Sequence, residues 1–265
     1  MSDPAVRRSP LEPVALADAA GPSWTVRLLA EAASTNVLAA ADARPGLVVV
    51  ADHQTAGRGR LDRSWETPAG VALTFSAVVD PGLPDARWPL LPLAVAVAVA
   101  QAVRRSAGVS PELKWPNDVL VDGRKLAGIL LERVGPPARG SRPLAVVGIG
   151  LNVDQTADEL PVPTATSLRI EGATVERTAL FGAVLAALEE TLAVLRADAE
   201  RVLASYREQC STLGAAVEVQ LPGGELLSGT AEAIDGHGRV VVAGRAVAAG
   251  DVVHLRRHGR SPGED

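Results

Sequence analysis

The sequence predicts an α+β protein in which a mixed β-sheet domain is followed by a small β-domain. Strand-like segments outnumber helical ones and do not alternate with them one by one, as they would in a doubly wound parallel fold. Beyond Gly214 the chain consists of short β-prone pieces, with hairpin signals at Gly223-Gly224 and Asp235-Gly236. At 265 residues the chain is long enough for one large and one small domain.

Changes in composition divide the chain into three parts. Residues 1 to 22, which begin with the polar and proline-rich stretch Met1 to Pro13, predict a flexible N-terminal tail. Residues 23 to 212 hold the main domain, and residues 213 to 260 hold enough short strands for a small β-barrel.

Apolar and β-branched runs predict seven strands in the main domain. They are Thr25 to Leu29, Leu47 to Ala51, Val71 to Val79, Leu113 to Trp115, Val119 to Val121, Lys125 to Val134 and Ala145 to Val153. Leu90 to Ser106 alternates Ala and Val like a strand, but its length, its early proline and its late arginines favour a buried helix. A short helix is predicted over Val37 to Ala43, and one long amphipathic helix over Thr178 to Gln209.

Composition excludes several classes of function. The net charge of −5 does not favour nucleic acid or an anionic membrane as a partner. The longest apolar run, Leu90 to Val103, is short for a membrane span, and the polar start does not resemble a secretion signal. Cys210 is the only cysteine and the four histidines lack metal-ligand spacing, so no metal site is assigned. These features predict a cytoplasmic protein.

Lysine and asparagine are scarce in this chain. Of 26 basic residues only Lys114 and Lys125 are lysine, and asparagine occurs only at Asn36, Asn117 and Asn152. An arginine-rich composition of this kind is typical of a GC-biased genome, in which lysine is replaced wherever arginine serves equally well. Lysine and arginine differ at a compact anion contact, because one is a point charge and the other a planar fork. The remaining lysines and asparagines are therefore candidates for functional residues.

The strongest local motif is the loop that begins Gly57-Arg58-Gly59-Arg60 and continues through Arg63 to Trp65. Its glycines allow close approach of the backbone to a ligand, and its arginines supply paired donors for phosphate or carboxylate. Trp65 offers a flat face for stacking. A solvated arginine-rich turn, or a contact with RNA, is the competing interpretation of this loop.

Three further segments carry unusual residues. In Lys114-Trp115-Pro116-Asn117-Asp118, a tight turn explains the last three residues but not the lysine or the tryptophan. Lys125 begins a strand and is either a functional cation or an ordinary edge-strand lysine. Gly148-Ile149-Gly150-Leu151-Asn152 places glycines inside a strand, which indicates close approach of another group. Ser34-Thr35-Asn36 taken by itself is a helix cap.

In their order and spacing these motifs together resemble the biotin protein ligases, over about residues 24 to 256. The resemblance implies a class II synthetase-like catalytic domain over residues 23 to 212 and an SH3-like barrel over 213 to 260. It also implies the reaction, in which biotin and ATP form biotinyl-5'-AMP and the biotin is then transferred to a lysine of a biotin carboxyl carrier domain of acyl-CoA carboxylases. ATP and biotin are the expected substrates, with Mg²⁺ on the phosphates.

The resemblance also assigns roles to individual positions. Lys125, Arg58 and Asp118 would be catalytic, with Lys125 between the two anionic reactants and Asp118 orienting or deprotonating the acceptor lysine. Biotin-binding residues would be Ser34, Thr35, Asn36, Gln54, Gly57, Arg58, Gly59, Arg60, Lys125, Gly148 and Gly150. ATP and the adenylate would contact Arg58, Arg60, Arg63, Trp65, Asn117, Asp118, Lys125 and Asn152.

Two departures from the family pattern lead to expectations. Many relatives have Arg-Gly where this loop has Leu61-Asp62, so one cation is lost, an anion is gained, and faster escape of the adenylate is expected. Some relatives begin with a winged helix that represses transcription, for which the first 22 residues leave no room. We therefore expect no binding to DNA, and either a monomer or a homodimer.

Two alternatives stay open on the sequence alone. A ligase or transferase of the same superfamily could act on lipoate or octanoate, although Cys210, near the barrel, is poorly placed for a thioester mechanism. A nucleic-acid-binding module could use the Gly/Arg loop and the barrel, against which stand the acidic net charge and the single tyrosine.

Overall fold

The protein contains two β-sheets and five α-helices, as seen in a computed structural model that describes residues 8–60, 64–135, 142–221, 224–248 and 251–254. The α+β class predicted from the sequence is confirmed. The helices are α1 (Pro13–Ala20), α2 (Thr35–Ala41), α3 (Leu91–Ala107), α4 (Arg177–Ala197) and α5 (Ala199–Gln209). The first sheet contains β1 (Thr25–Ala32), β2 (Leu47–Arg58), β3 (Ser64–Thr67), β4 (Ala72–Val79), β5 (Glu112–Lys114), β6 (Asp118–Val121), β7 (Arg124–Val134) and β8 (Leu144–Asn152). The second contains β9 (Ala216–Gln220), β10 (Leu226–Ile234), β11 (Val240–Val242), β12 (Arg245–Val247) and β13 (Asp251–His254).

The first sheet is mixed because β1 and β2 are parallel, whereas all the other pairs of strands in this sheet are antiparallel. The strand order is β1-β2-β4-β8-β7-β6-β5, and β3 pairs with the end of β2. Strands β4 and β8 are buried along their whole length, so the centre of the sheet is covered on both faces.

Alternation along the central strands sends side chains to two different cores. Leu73, Phe75 and Ala77 of β4 join the large core, where the Phe75 ring meets Phe181 of α4 edge to face at 5.2 Å. Val78 faces the opposite side and joins a small cluster beneath α2, which includes Ala39. The small cluster covers only part of that face.

Helix α3 confirms the prediction of a buried helix for the Ala/Val segment. Pro92 lies in its first turn, and Gly108 ends it in the left-handed conformation with φ of +67°. Two helical stretches, Asp85–Ala107 and Arg177–Ala197, are long and apolar enough to span a membrane, and the protein itself buries 72% and 50% of their most apolar windows. Packing of α3 against α4 and the sheet accounts for this apolar character.

The second sheet is antiparallel in the order β12-β11-β10-β9-β13. Its short strands confirm the small β-domain that the sequence predicts beyond Gly214. A closed barrel would require the two edge strands, β12 and β13, to pair with each other. Within the described residues they do not pair, so closure of the barrel stays a prediction.

The prediction of one long helix over Thr178 to Gln209 is wrong. Asp198 takes an extended conformation, with φ of −149°, and separates α4 from α5. Its side chain accepts a hydrogen bond from the backbone N–H of Arg201 at 3.2 Å and caps α5. The amphipathic period continues across the break, which is why the pattern suggested a single helix.

The prediction of a loose tail is wrong for residues 13–20, which form α1. Leu16 of this helix is fully buried, and α1 packs against α4. Gly182 permits this packing, because a Cβ there would lie 2.6 Å from the carbonyl oxygen of Ala19. A short proline-rich segment carries too little periodicity to reveal such docking.

Two arginines fix the segment ahead of α1. The buried Arg177 pairs with Asp52 at 2.7 Å and donates to the carbonyl of Ser9 at 3.0 Å. Arg8 donates to both carboxylate oxygens of Glu159, at 2.9 and 2.6 Å. The hydrogen bond from Arg8 is the largest of the effects that lower the pKa of Glu159 to about 2.

We predict that Leu16→Ala lowers the free energy of unfolding by about 2 to 5 kcal/mol, because a buried leucine is lost from the contact between α1 and α4. Val14→Ala is the matched control, since Val14 lies on the same helix and is 74% exposed. Equilibrium urea unfolding of both variants makes the comparison. Equal, small effects would mean that α1 is not docked.

The contribution of Glu159 to stability should depend on pH. Because its folded-state pKa is lowered from 4.5, the stabilisation is fully present above about pH 4.5 and is lost as the pH falls towards 2. The difference in unfolding free energy between wild type and Glu159→Gln should therefore be larger at pH 7 than at pH 3. In an Arg8→Met background the difference should change less with pH; an undiminished change would contradict the role of Arg8.

Candidate functional site

Three glycines lie together on the α2 side of the first sheet. In the strand register Ser76 pairs with Gly148, while Thr74 pairs with Gly150 and Gly150 pairs with Gly128. We call Gly128, Gly148 and Gly150 the glycine floor. Since paired residues in neighbouring strands face the same way, the floor continues the face that the small apolar cluster covers.

Each floor glycine leaves room for a specific neighbour. A Cβ at Gly148 would overlap Asn36 Oδ1, and one at Gly150 would overlap the Trp65 indole. A Cβ at Gly128 would lie 3.2 Å from both Trp65 and Lys125. The prediction of a closely approaching group for Gly148 and Gly150 is therefore met by two side chains of the protein itself.

Ser34, Thr35 and Asn36 are buried at the start of α2, with exposures of 3 to 5%. Thr35 donates to Gln54 Oε1 from its backbone at 2.9 Å and from its hydroxyl at 3.2 Å. Gln54 Nε2 in turn donates to the carbonyl of Trp65 at 3.1 Å. Ser34 occupies the N-cap position but its side chain makes no capping hydrogen bond. Helix capping therefore does not explain why Ser34, Thr35 and Asn36 are polar.

Two residues that the sequence did not single out hold the amide of Asn36. Ser76 Oγ lies 2.6 Å from Asn36 Oδ1, and Asn36 Nδ2 donates to Glu132 Oε2 at 2.7 Å. The other oxygen of Glu132 lies 3.6 Å from Arg58 Nη2. Ser76 had a usable signal, a hydroxyl within a run of apolar strand residues, whereas Glu132 resembled an ordinary strand carboxylate.

The Gly/Arg loop begins within β2 and bends beside the floor. A Cβ at Gly57 would overlap Gln54 Nε2 and the carbonyl of Trp65, so this position requires glycine. Arg58 is about half exposed, and Gly59 and Arg60 are partly buried. Arg63, together with the Leu61-Asp62 departure, lies outside the described residues.

Lys125 and Asp118 form an ion pair beside the floor. Lys125 Nζ lies 2.7 Å from Asp118 Oδ1 and 5.4 Å from the centre of the Trp65 ring. The lysine side chain is 33% exposed. Trp65 Nε1 is buried, and within the described part of the chain no hydrogen-bond partner reaches it. A compact cation thus lies next to an aromatic face and a carboxylate.

Asn117 and Asn152 hold backbone around this ion pair. Asn117 Nδ2 donates to the carbonyl of Ile129 at 2.7 Å. Asn152 Nδ2 donates to the carbonyl of Thr166 at 2.9 Å and lies 3.5 Å from that of Lys125. Gln155, which the sequence did not single out, donates to Asn152 Oδ1 at 2.9 Å. All three asparagines of the chain therefore border the site.

The arrangement has two chemically different ends. Near α2, buried neutral groups offer donors and acceptors to a polar, uncharged ring. Near β6 and β7, Lys125 offers a positive charge to an anion. Across the described ranges no group of three or more His, Cys, Asp or Glu side chains could hold a metal ion.

Comparison with family models gives two matches. Residues 30–154 match the biotin/lipoate A/B protein ligase family, and residues 212–255 match the biotin protein ligase C-terminal domain. The first match contains the glycine floor, the Ser34 to Asn36 group and Lys125. The second covers the second sheet.

Individual relatives agree with these matches. The chain is 40% identical to a biotin–[acetyl-CoA-carboxylase] ligase of Mycobacterium tuberculosis, over 97% of this chain and all of the relative. It resembles the structure of the Aquifex aeolicus biotin protein ligase in complex with biotin and ATP, with a TM-score of 0.75 and 27% identity over 88% of this chain and 99% of the other. The Leishmania major biotin protein ligase in complex with biotinyl-5-AMP has a TM-score of 0.59 and 25% identity over 88% and 99% of the two chains. The chain belongs to the biotin/lipoate A/B protein ligase family.

Proposed function

We propose that this chain is an ATP-dependent biotin protein ligase. It joins biotin and ATP to form biotinyl-5'-AMP and then transfers biotin to a lysine of a carrier protein. The observation that carries the proposal is the position of Lys125 beside the glycine floor, at the opposite end from the buried Thr35–Gln54 network. Full-length similarity to a biotin–[acetyl-CoA-carboxylase] ligase supports it.

The biotin ring is proposed to bind at the α2 end of the floor. A ureido ring carries two N–H donors and one carbonyl acceptor, and it needs matched partners because unpaired polar groups are costly to bury. Asn36 and Gln54 carry both kinds of group, and Ser34 and Thr35 carry hydroxyls. The two amides now bond to groups of the protein itself, so they would have to share or exchange those partners with the ring. The proposed biotin-binding residues are Ser34, Thr35, Asn36, Gln54, Gly57, Arg58, Gly59, Arg60, Lys125, Gly148 and Gly150.

The nucleotide is proposed to bind towards β6 and β7. Trp65 would cover the adenine, which requires its indole to leave the place it now takes over Gly150. Asn117 and Asn152 already hold backbone at this end. The proposed nucleotide-binding residues are Arg58, Arg60, Arg63, Trp65, Asn117, Asp118, Lys125 and Asn152.

Adenylation requires a carboxylate oxygen of biotin to attack the α-phosphorus of ATP while pyrophosphate leaves. The two reactants repel each other, and negative charge grows on the phosphate oxygens in the transition state. A fixed cation such as Lys125 lowers both barriers, with Arg58 as a second cation. Mg²⁺ is expected to accompany the β- and γ-phosphates, held mostly by phosphate and water oxygens, and to neutralise part of their charge.

Transfer requires the acceptor lysine to attack the biotinyl carbonyl as a free amine, releasing AMP. A lysine has an ordinary pKa of about 10.4, so its amine must be oriented and deprotonated in the site. Asp118 is the proposed group for that task. Since it now binds Lys125 at 2.7 Å, it would have to exchange that partner for the incoming amine.

Several finer statements belong to the same proposal. The acceptor is proposed to be the biotin carboxyl carrier domain of an acyl-CoA carboxylase, as the name of the Mycobacterium tuberculosis relative suggests. We propose a cytoplasmic monomer or homodimer that binds neither DNA nor membrane, in line with its net charge of −5. We also propose a catalytic domain over residues 23 to 212 and a second domain over residues 213 to 260.

Lipoate or octanoate is the competing acyl substrate, since the matched family includes lipoate ligases. A thioester mechanism finds little support, because Cys210 is buried and burial raises the pKa of its thiol. Biotin-dependent exchange of pyrophosphate into ATP tests the main proposal. Exchange that depends on lipoate or octanoate would select the alternative, and no exchange with any of them would favour a nucleic-acid-binding role.

Lys125→Arg is predicted to lower the rate of pyrophosphate exchange by about 100-fold or more while the fold is kept, because the planar guanidinium cannot replace a compact charge between two anions. The neighbouring Arg124→Lys is the control, since Arg124 pairs with Glu171 at 2.8 Å and has no proposed role in the reaction. The measurement is the rate of pyrophosphate exchange at saturating biotin and ATP, compared among wild type, Lys125→Arg and Arg124→Lys. Wild-type rates in Lys125→Arg would show Lys125 to be an ordinary surface residue.

Gly148→Ala is predicted to weaken biotin binding by about tenfold or more, because its Cβ would displace Asn36 and break buried hydrogen bonds. Gly135→Ala is the control, as a Cβ there meets nothing within 4 Å. Isothermal titration calorimetry with biotin compares the two variants. Equal affinities would remove Asn36 from the biotin site.

A further inference from the structure

Trp115 connects the second sheet to the loop between β5 and β6. The side chain is 2% exposed, and its indole N–H donates to the carbonyl of Gly238 at 2.9 Å. Its backbone N–H donates to Thr212 Oγ1 at 3.0 Å. Gly238 lies in the turn between β10 and β11. Thr212 is the last residue of the proposed first domain, and its hydroxyl lies 3.1 Å from Nε2 of His254 in β13, so it also connects Trp115 to the second sheet.

The turn that accepts the indole is itself firmly held. Asp235 accepts hydrogen bonds from the backbone N–H groups of His237 and Arg239, each at 2.9 Å. Gly238 has φ of +77°, and a Cβ there would lie 2.9 Å from Leu90 and 3.0 Å from Leu93 at the start of α3. The turn is therefore seated against the first domain, and its carbonyl is a fixed acceptor for Trp115.

The other end of the same loop carries the charged pair of the site. The backbone N–H of Ile129 donates to the carbonyl of Asn117 at 3.1 Å, and Asn117 Nδ2 returns a hydrogen bond to Ile129. The next residue, Asp118, holds Lys125 Nζ at 2.7 Å. Only Pro116 separates Trp115 from Asn117, so the loop that is anchored by the indole also carries these contacts.

We propose that Trp115 is a positioning residue, through which the docked second sheet sets the Asp118–Lys125 pair for adenylation. The proposal rests on the proposed function and extends it, because it gives the second sheet a part in the first chemical step. Displacements of about 1 Å at reacting groups cost roughly 100-fold in rate, so a hydrogen bond that fixes this loop can matter without touching a substrate.

Trp115→Phe tests the proposal, since it keeps an aromatic ring and removes the N–H donor. We expect the kcat for biotin-dependent pyrophosphate exchange to fall about tenfold or more, while the KM for biotin stays within about twofold. The biotin KM reports on the Thr35–Gln54 end of the floor, so an unchanged KM with a lower kcat would place the defect at the Asp118–Lys125 end. Partial unfolding would also lower the apparent kcat without changing KM, so kcat is calculated per folded molecule. Unfolding in urea confirms that the variant is folded under assay conditions.

Arg207→Met is the matched control. Arg207 Nε donates to the carbonyl of Ile234 at 2.8 Å, so it also joins the second sheet to the first domain, but it does so from α5. This variant should lose stability and keep its kcat. An equal fall in kcat for Arg207→Met and Trp115→Phe would overturn the proposal, since any loosening of the second sheet would then suffice.

Thr212→Val is a second test of the role of Trp115, which can be used if Trp115→Phe does not fold. It removes the acceptor for the Trp115 backbone N–H and keeps a similar shape, and it should lower kcat with the same selectivity. Wild-type kcat in whichever of these two variants folds would refute the role of Trp115. If the wild-type protein itself shows no biotin-dependent exchange, the proposed function fails instead.

Discussion

The absence of side chains at Gly128, Gly148 and Gly150 is the constraint on which the site depends. Elsewhere on this face of the sheet, apolar side chains hold α2 at a distance. At the glycine floor the start of α2 and the segment that carries Trp65 come down to the strand backbone. Asn36 can therefore reach Ser76 and Glu132, and Trp65 can reach Lys125, so the polar network around Asn36 and the contact between Trp65 and Lys125 both follow from the missing Cβ atoms.

Cations at the site are balanced by carboxylates of the protein itself. Lys125 is paired with Asp118, and Arg58 lies near Glu132. Positive charges gathered for an anionic substrate would repel one another, and nearby carboxylates reduce that cost. Under the proposed function, binding of biotin and ATP would exchange these carboxylates for substrate anions around the same cations.

The two sheets meet at the loop that carries this charge balance. Trp115 faces the second sheet, while Asn117 and Asp118 face the first. A turn alone would explain Pro116, Asn117 and Asp118 but would not require a tryptophan. Its contact with Gly238 gives the tryptophan a physical reason, because a buried indole needs an acceptor for its N–H group.

Hydrophobic periodicity and turn residues were enough to predict the α+β class, most strands and the buried helix α3. The scarcity of lysine and asparagine was enough to mark Lys125 and the three asparagines as candidate functional residues. These features depend on neighbours in the chain or on composition. The docking of α1, the break at Asp198 and the parts played by Ser76, Glu132 and Trp115 depended on the tertiary structure. The partners of Ser76, Glu132 and Trp115 lie 40, 96 and 123 residues away along the chain. A sequence records which groups can form hydrogen bonds, but only folding determines which of them meet.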